Sequence, residues 1–119
     1  MNTFHKSQRL SSKIEIDRLF GKKQLFILDH IKVYCHFFPS EKKEIKLLIS
    51  VPKSLISQST KRNTIKRYFR ESYRLNQFIL KAEKNAINIG FVYMSSEIPN
   101  FRPFENKIKL ILQRLNEET

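Results

Sequence analysis

KRNTIKRYFRESYRLNQ, residues 61–77, is the stretch from which the rest of the chain can be placed. Arg62, Lys66, Arg70 and Arg74 recur every fourth residue. On a helix turning 3.6 residues per turn they form a slowly drifting stripe along one side. Lys61 and Arg67 flank the stripe, and Glu71 is the only acid. Ile65, Phe69, Ser72 and Asn76 fall on the other side, with Tyr68, Leu75 and Ile79 beside them. Small, apolar and aromatic groups therefore face a core while the cations face outward. Like charges at i,i+4 repel by roughly a few tenths of a kcal/mol per pair, so this helix is weakened in isolation. A stripe that costs stability calls for a partner that brings negative charge. A solvated cationic surface is the plainer alternative. It ranks second, because such a face usually interleaves Glu with Lys.

The flanking sequence alternates. Gln24 to Phe38 is β-rich, with Asp29-His30 separating a short strand from a longer one. Past that break Ile31, Val33, Cys35 and Phe37 take one side, and Lys32, Tyr34, His36 and Phe38 the other. Residues 39–43, PSEKK, predict a hairpin turn. The next strand puts Ile45, Leu47, Ile49 and Val51 inward and Lys46, Leu48 and Ser50 opposite, and Pro52 ends it. After a connection from Lys53 to Thr60, the basic helix is expected to run to about Lys81. A third clear strand, Ile87 to Met94, sets Ile87, Ile89, Phe91 and Tyr93 against Asn88, Gly90, Val92 and Met94. Gly90, lacking a side chain, lets a neighbouring backbone or ligand approach closely.

Two further helices complete the pattern. Ser11 or Ser12 can cap a short one ending at Phe20, with Gly21 as its stop and Ile16, Leu19 and Phe20 on one face. Leu19 is expected in the core. Asn100 can cap a final helix to about Asn116, whose apolar stripe is Phe104, Ile108, Ile111, Leu112 and Leu115. The fold class is α+β, a two-layer sandwich in α-β-β-α-β-α order with a small mixed sheet of three to four strands. The apolar sheet face needs the long helix. The mixed face is expected to be partly covered by the two shorter helices, leaving a groove.

Length and charge narrow the function. A chain of 119 residues is expected to form one domain, with residues 1–10, which include Lys6 and Arg9, forming a flexible start. Twenty-three Lys and Arg against eleven Asp and Glu give a net charge of +12, which favours a polyanion. No apolar run approaches the ~18 residues of a membrane span, and the N-terminus lacks the apolar core of a secretory signal. The lone Cys35 excludes an internal disulfide and fits a cytoplasmic location. Metal-dependent nucleases gather carboxylates, yet Asp17 and Asp29 are the only aspartates. Cys35 and His36 project to opposite faces of a strand and cannot share a metal, so Cys35 is assigned to the core and His30 and His36 to the surface. The residues argue for a binding protein of a polyanion, RNA, DNA or an anionic membrane, without its own catalytic centre or a metal site. A helix-turn-helix DNA reader would need a second short helix before the basic one, where residues 45–60 alternate and then loop. A structural binder of folded RNA, such as a ribosomal protein, is the alternative.

The run Arg62-Asn63-x-x-Lys66-Arg67-x-x-Arg70-Glu71-Ser72-Tyr73-Arg74 resembles the signature R-N-R-x-K-R-x-x-R-E-x-[FY]-R of the bacterial ribonuclease P protein component, with Thr64 in place of the third signature residue. The resemblance implies a left-handed strand–helix–strand crossover around the basic helix. It also implies a protein subunit of an endoribonuclease whose catalyst is an RNA. That RNA removes the 5′ leader of precursor tRNA with Mg2+ bound by the RNA, not by a protein site. The implied contacts with the catalytic RNA are Lys53, Lys61, Arg62, Asn63, Lys66, Arg67, Arg70 and Arg74, with Ser54 where the family has a second lysine. The implied leader cleft uses Phe20 and Tyr34, with Ile16 and Ile111 or Leu112 at positions aromatic in the family. Leader phosphates are expected near Lys32 or Lys46.

Overall fold

The computed structural model describes residues 13–21, 25–41, 43–81 and 85–118. Lys6, Arg9, the Ser11 and Ser12 caps and Lys42 of the predicted turn lie outside the described residues. In chain order the elements are α1 (Lys13–Phe20), β1 (Phe26–Leu28), β2 (Ile31–Pro39), β3 (Glu44–Ser50), α2 (Ser59–Asn76), β4 (Asn85–Tyr93) and α3 (Phe101–Glu118). A 3-10 turn, Gln77–Ile79, closes α2. Asp29 and His30 do break the first β stretch. Asp29 takes a left-handed φ of 51°, which its short side chain tolerates. β1 thereby becomes a fourth strand, giving the order α-β-β-β-α-β-α.

The strands form one mixed sheet in the order β1-β2-β4-β3. The predicted hairpin between β2 and β3 does not form. β4 lies between them, antiparallel to β2 and parallel to β3. The physical reason is burial. Ala86 to Phe91 are buried without interruption, on both faces, which suits a central strand and not an edge. Alternation had shown which face each residue takes, but not which strand lies beside it.

On the apolar face Phe37, Ile87 and Ile45 form one row, Cys35, Ile89 and Leu47 the next, and Val33, Phe91 and Ile49 a third. α2 lays Ile65, Phe69 and Tyr73 over them, each at most 1% exposed. Phe69 stacks on Phe91, with ring centroids 5.2 Å apart, and meets Phe104 of α3 edge-on at 4.7 Å. Cutting such a buried ring to Ala costs about 3–5 kcal/mol. α3 thus packs beside α2 on the apolar face, and not over the mixed face as the sequence predicted. It is as long as α2, 18 residues each, and its stripe of five fully apolar side chains has no match on the mixed side. Asn76 links the two helices by donating to Ser72 O at 2.8 Å and to the buried Glu105 Oε2 at 3.0 Å. Among the described residues only α1 covers the mixed face.

Candidate nucleic-acid interface

α2 begins in electrostatic deficit. Gln58 precedes it without a side-chain cap bond, and its first turn holds no acid. Lys61 and Arg62 therefore sit near the positive end of the helix dipole, each unfavourable by about 0.3–1 kcal/mol. Lys61, Asn63 and Arg67 are exposed, whereas Arg62, Lys66, Arg70 and Arg74 are only half-exposed. The stripe turns about 40° with each step of four residues, so its members meet different surroundings.

Arg62 Nη1 donates to Ile56 O at 3.0 Å and Ser57 O at 2.7 Å, clamping the preceding loop to the helix. Lys53 stands exposed in that loop, in a turn where the Leu55 and Ile56 N–H groups donate to Pro52 O. Thr64, at the departure from the family signature, turns its hydroxyl back to Thr60 O at 3.1 Å. Arg74 Nε donates to Glu71 Oε2 at 3.1 Å, and Arg74 Nη2 makes a second bond to Glu71 Oε1. That hydrogen bonding holds the Glu71 carboxyl below its ordinary range and pushes the Arg74 guanidinium above its own, so both stay charged.

The second surface is the mixed face of the sheet. Its rows are His36–Asn88–Lys46, Tyr34–Gly90–Leu48 and Lys32–Val92–Ser50. α1 presses onto the middle row. A Cβ at Gly90 would lie 3.0 Å from Leu19 Cδ2 and 3.1 Å from Phe20 Cζ, so it is α1 that comes close there. Leu19 is fully buried, as expected for a core residue. Phe20 is half-exposed and meets Tyr34 edge-on, with centroids 4.8 Å apart and planes at 67°.

Open cavities lie on two sides of this aromatic pair. One, of about 450 Å³, is lined by Phe20, Leu48, Ile49, Ser50, Val51, Val92 and Lys66. Lys66 therefore faces the groove from α2, a position that its place in the stripe does not reveal. The other, of about 210 Å³, is lined by Glu15, Arg18, His36, Phe38 and Asn88. His36 is half-buried there, contrary to its assignment to the surface, because α1 covers its row. Lys46 Nζ lies 3.9 Å from Glu15 and 3.8 Å from Glu44, so a phosphate would share it with two carboxylates. Asn88 Nδ2 donates to the same Glu15 Oε2 at 3.4 Å. The sequence reading missed Glu15, and the signal for it is its place one turn before Leu19 on the same helix face. Ile16 and Lys32 are half-buried. Ile111 and Leu112 are fully buried under the opposite face, so the last helix adds nothing to the groove.

Among the described residues no three His, Cys, Asp or Glu side chains are grouped to hold a metal ion, and no helix is long and apolar enough to cross a membrane. Cys35 packs against the core.

The family model described as Ribonuclease P matches residues 4–116. A protein named "Ribonuclease P protein component" from Porphyromonas gingivalis ATCC 33277 is 31% identical over 115 residues, covering 92% of this chain and 84% of its own. The protein of the same name from strain W83 matches equally. Among solved structures, the RNase P protein from Thermotoga maritima has a TM-score of 0.71 at 23% identity, covering 89% of this chain and 96% of that one. A Staphylococcus aureus RNase P protein mutant, described as having defective mRNA degradation activity, has a TM-score of 0.74 at 21% identity, covering 92% and 89%. The structural likenesses establish a shared fold. With matches that span nearly the whole sequence, the chain belongs to the ribonuclease P protein component family.

Proposed function

We propose that, within the tRNA-processing endoribonuclease of which it is a protein component, this chain is a single RNA-binding domain over residues 1–119 with no catalytic centre of its own. The observation that carries this reading is the crowding of cations at the uncapped, acid-free start of α2. Such an end is short of negative charge, and a phosphate backbone supplies it. Lys53, Lys61, Arg62, Asn63, Lys66, Arg67, Arg70 and Arg74 then contact the catalytic RNA. Lys66, at the groove wall, bridges towards the second ligand.

That ligand is the single-stranded 5′ leader of precursor tRNA, lying in the groove below α1. Phe20 and Tyr34 offer ring surface on which any base can stack, Ile16 adds an aliphatic wall, and Lys32 and Lys46 are placed for leader phosphates. Stacking tolerates every base, which suits a protein meeting many leaders. Cleavage chemistry belongs to the RNA and its Mg2+. The location is cytoplasmic, with neither DNA nor membrane as partner. The test is cleavage of precursor tRNA by a bacterial ribonuclease P RNA at low Mg2+, with and without this chain. The chain should raise the rate, and RNA-free protein should cleave nothing. Metal-dependent cleavage by the protein alone would overturn this reading, and RNA binding without activation would favour a purely structural role.

A further inference from the structure

A further cavity adjoins the cations of α2, apart from the groove below α1. Arg67, Tyr68 and Glu71 of α2 and Phe101 of α3 line an opening of about 260 Å³ on the flank of α2 away from Lys66. Its floor is two half-buried rings, Tyr68 and Phe101, meeting edge to face with centroids 5.3 Å apart. Phe104 backs Tyr68 at 6.2 Å. The exposed Arg67 supplies a cation at the rim. Glu71, the sole acid of residues 61–77, supplies a carboxylate oriented by Arg74.

A surface built only for phosphates gains nothing from a carboxylate at this point, because like charges repel. Aromatic floor, guanidinium and acceptor together suit an unpaired nucleobase. Its ring face can stack, the cation can meet the adjoining phosphate, and its exocyclic amine can donate to the acid. We propose that this opening holds one unpaired nucleobase of the catalytic RNA, stacked on Phe101, with Tyr68 against its edge and its amino group donating to Glu71. This rests on the reading that α2 binds the catalytic RNA. That RNA is the source because the opening adjoins Arg67 on the α2–α3 side of the sheet, while the leader groove lies on the opposite face. Adenine, cytosine and guanine carry the required amine. Uracil presents an oxygen instead and is disfavoured.

The test compares holoenzyme assembly by wild type, Phe101→Ala, Phe101→Trp, Arg67→Ala and Arg70→Ala over a salt series, with chemical probing of the RNA bases. Phe101→Ala should weaken assembly roughly 5- to 150-fold, the worth of one stacked base. Its log–log salt slope should not change, since no phosphate contact is lost. One nucleotide protected by wild type should regain reactivity, and Phe101→Trp should assemble at least as tightly as wild type. A merely structural Phe101 would instead make Trp as damaging as Ala. Placing uracil at the protected position should weaken wild type, and Glu71→Gln should bind both RNAs alike. Full affinity in Phe101→Ala, or a changed slope, would sink the base site. If Arg67→Ala and Arg70→Ala weaken assembly while Phe101→Ala does not, only this inference fails. If none of them does, the reading of α2 fails as well.

Discussion

Phe20 and Tyr34 meet in an edge-to-face pair with ring centroids 4.8 Å apart, over the sheet row that contains Gly90. One ring comes from α1 and one from β2, so the pair fixes the width of the groove. Tyr34→Ala should weaken precursor tRNA binding by about 1–3 kcal/mol and leave mature tRNA binding nearly unchanged. Tyr34 is half-exposed, so the stability cost should be the lost ring pair, about 0.5–1.5 kcal/mol, and not the larger loss of a buried aromatic. Equal weakening for both tRNAs would remove Tyr34 from the leader site.

Gly90→Ala tests the support beneath that pair. The new methyl would meet Leu19 Cδ2 at 3.0 Å and Phe20 Cζ at 3.1 Å. Leu19 is fully buried and has little room to move, so the strain falls on α1 and Phe20. Replacing a strand glycine gains about 0.5–1 kcal/mol of backbone entropy, whereas overpacking costs about 1–3 kcal/mol. The clash should win. Thermal unfolding should show a modest net loss, and precursor tRNA affinity should fall while assembly with the catalytic RNA holds. A Gly90→Ala protein as stable as wild type would mean that α1 is not seated on β4.

What the sequence reveals and what it hides divide along physical lines. Period-two alternation assigned Tyr34, Cys35 and Gly90 to their correct faces, because a side chain's face depends only on its own strand. The neighbour of each strand depends on the whole sheet, so the insertion of β4 between β2 and β3 was not legible. The same holds for α3. Its stripe of Phe104, Ile108, Ile111, Leu112 and Leu115 showed that it packs, but not where. On α2 the spacing located the cations, yet the clamp from Arg62 to Ile56 and Ser57 depends on the path of the loop. Tyr73, fully buried beside Phe69, lies about 40° from Phe69 on the helix and reads as core only once the α2–α3 packing is known.

The cations of α2 should separate into two kinds. Arg67 is exposed, so Arg67→Ala should leave the unfolding midpoint unchanged and lower the log–log salt slope of holoenzyme assembly by about 0.7–0.9. Arg62→Ala removes two hydrogen bonds to backbone carbonyls, each worth about 0.5–1.5 kcal/mol. It should lower stability and the slope together. A stability loss with the slope intact would make Arg62 a clamp and nothing more, and an unchanged slope for Arg67→Ala would make that flank of α2 a solvated surface.

Tyr73 makes stability depend on pH at the alkaline end. Its ring is 1% exposed, and burial pushes its hydroxyl up to about 12. In the unfolded chain a tyrosine ionises near pH 10. Below about pH 10 the hydroxyl is protonated in both states, and its contribution is constant. Between about pH 10 and 12 the unfolded chain releases this proton while the folded one keeps it, so folding weakens as pH rises. A shift of about two pH units limits the effect to roughly 3 kcal/mol. Lysine deprotonation also acts in this range, but equally in a Tyr73→Phe variant. The stability difference between wild type and that variant, from urea unfolding, should be flat below about pH 9.5 and then move in the variant's favour towards pH 12. A difference that stays flat throughout would mean that the hydroxyl ionises as readily folded as unfolded, and that the α2 core admits water.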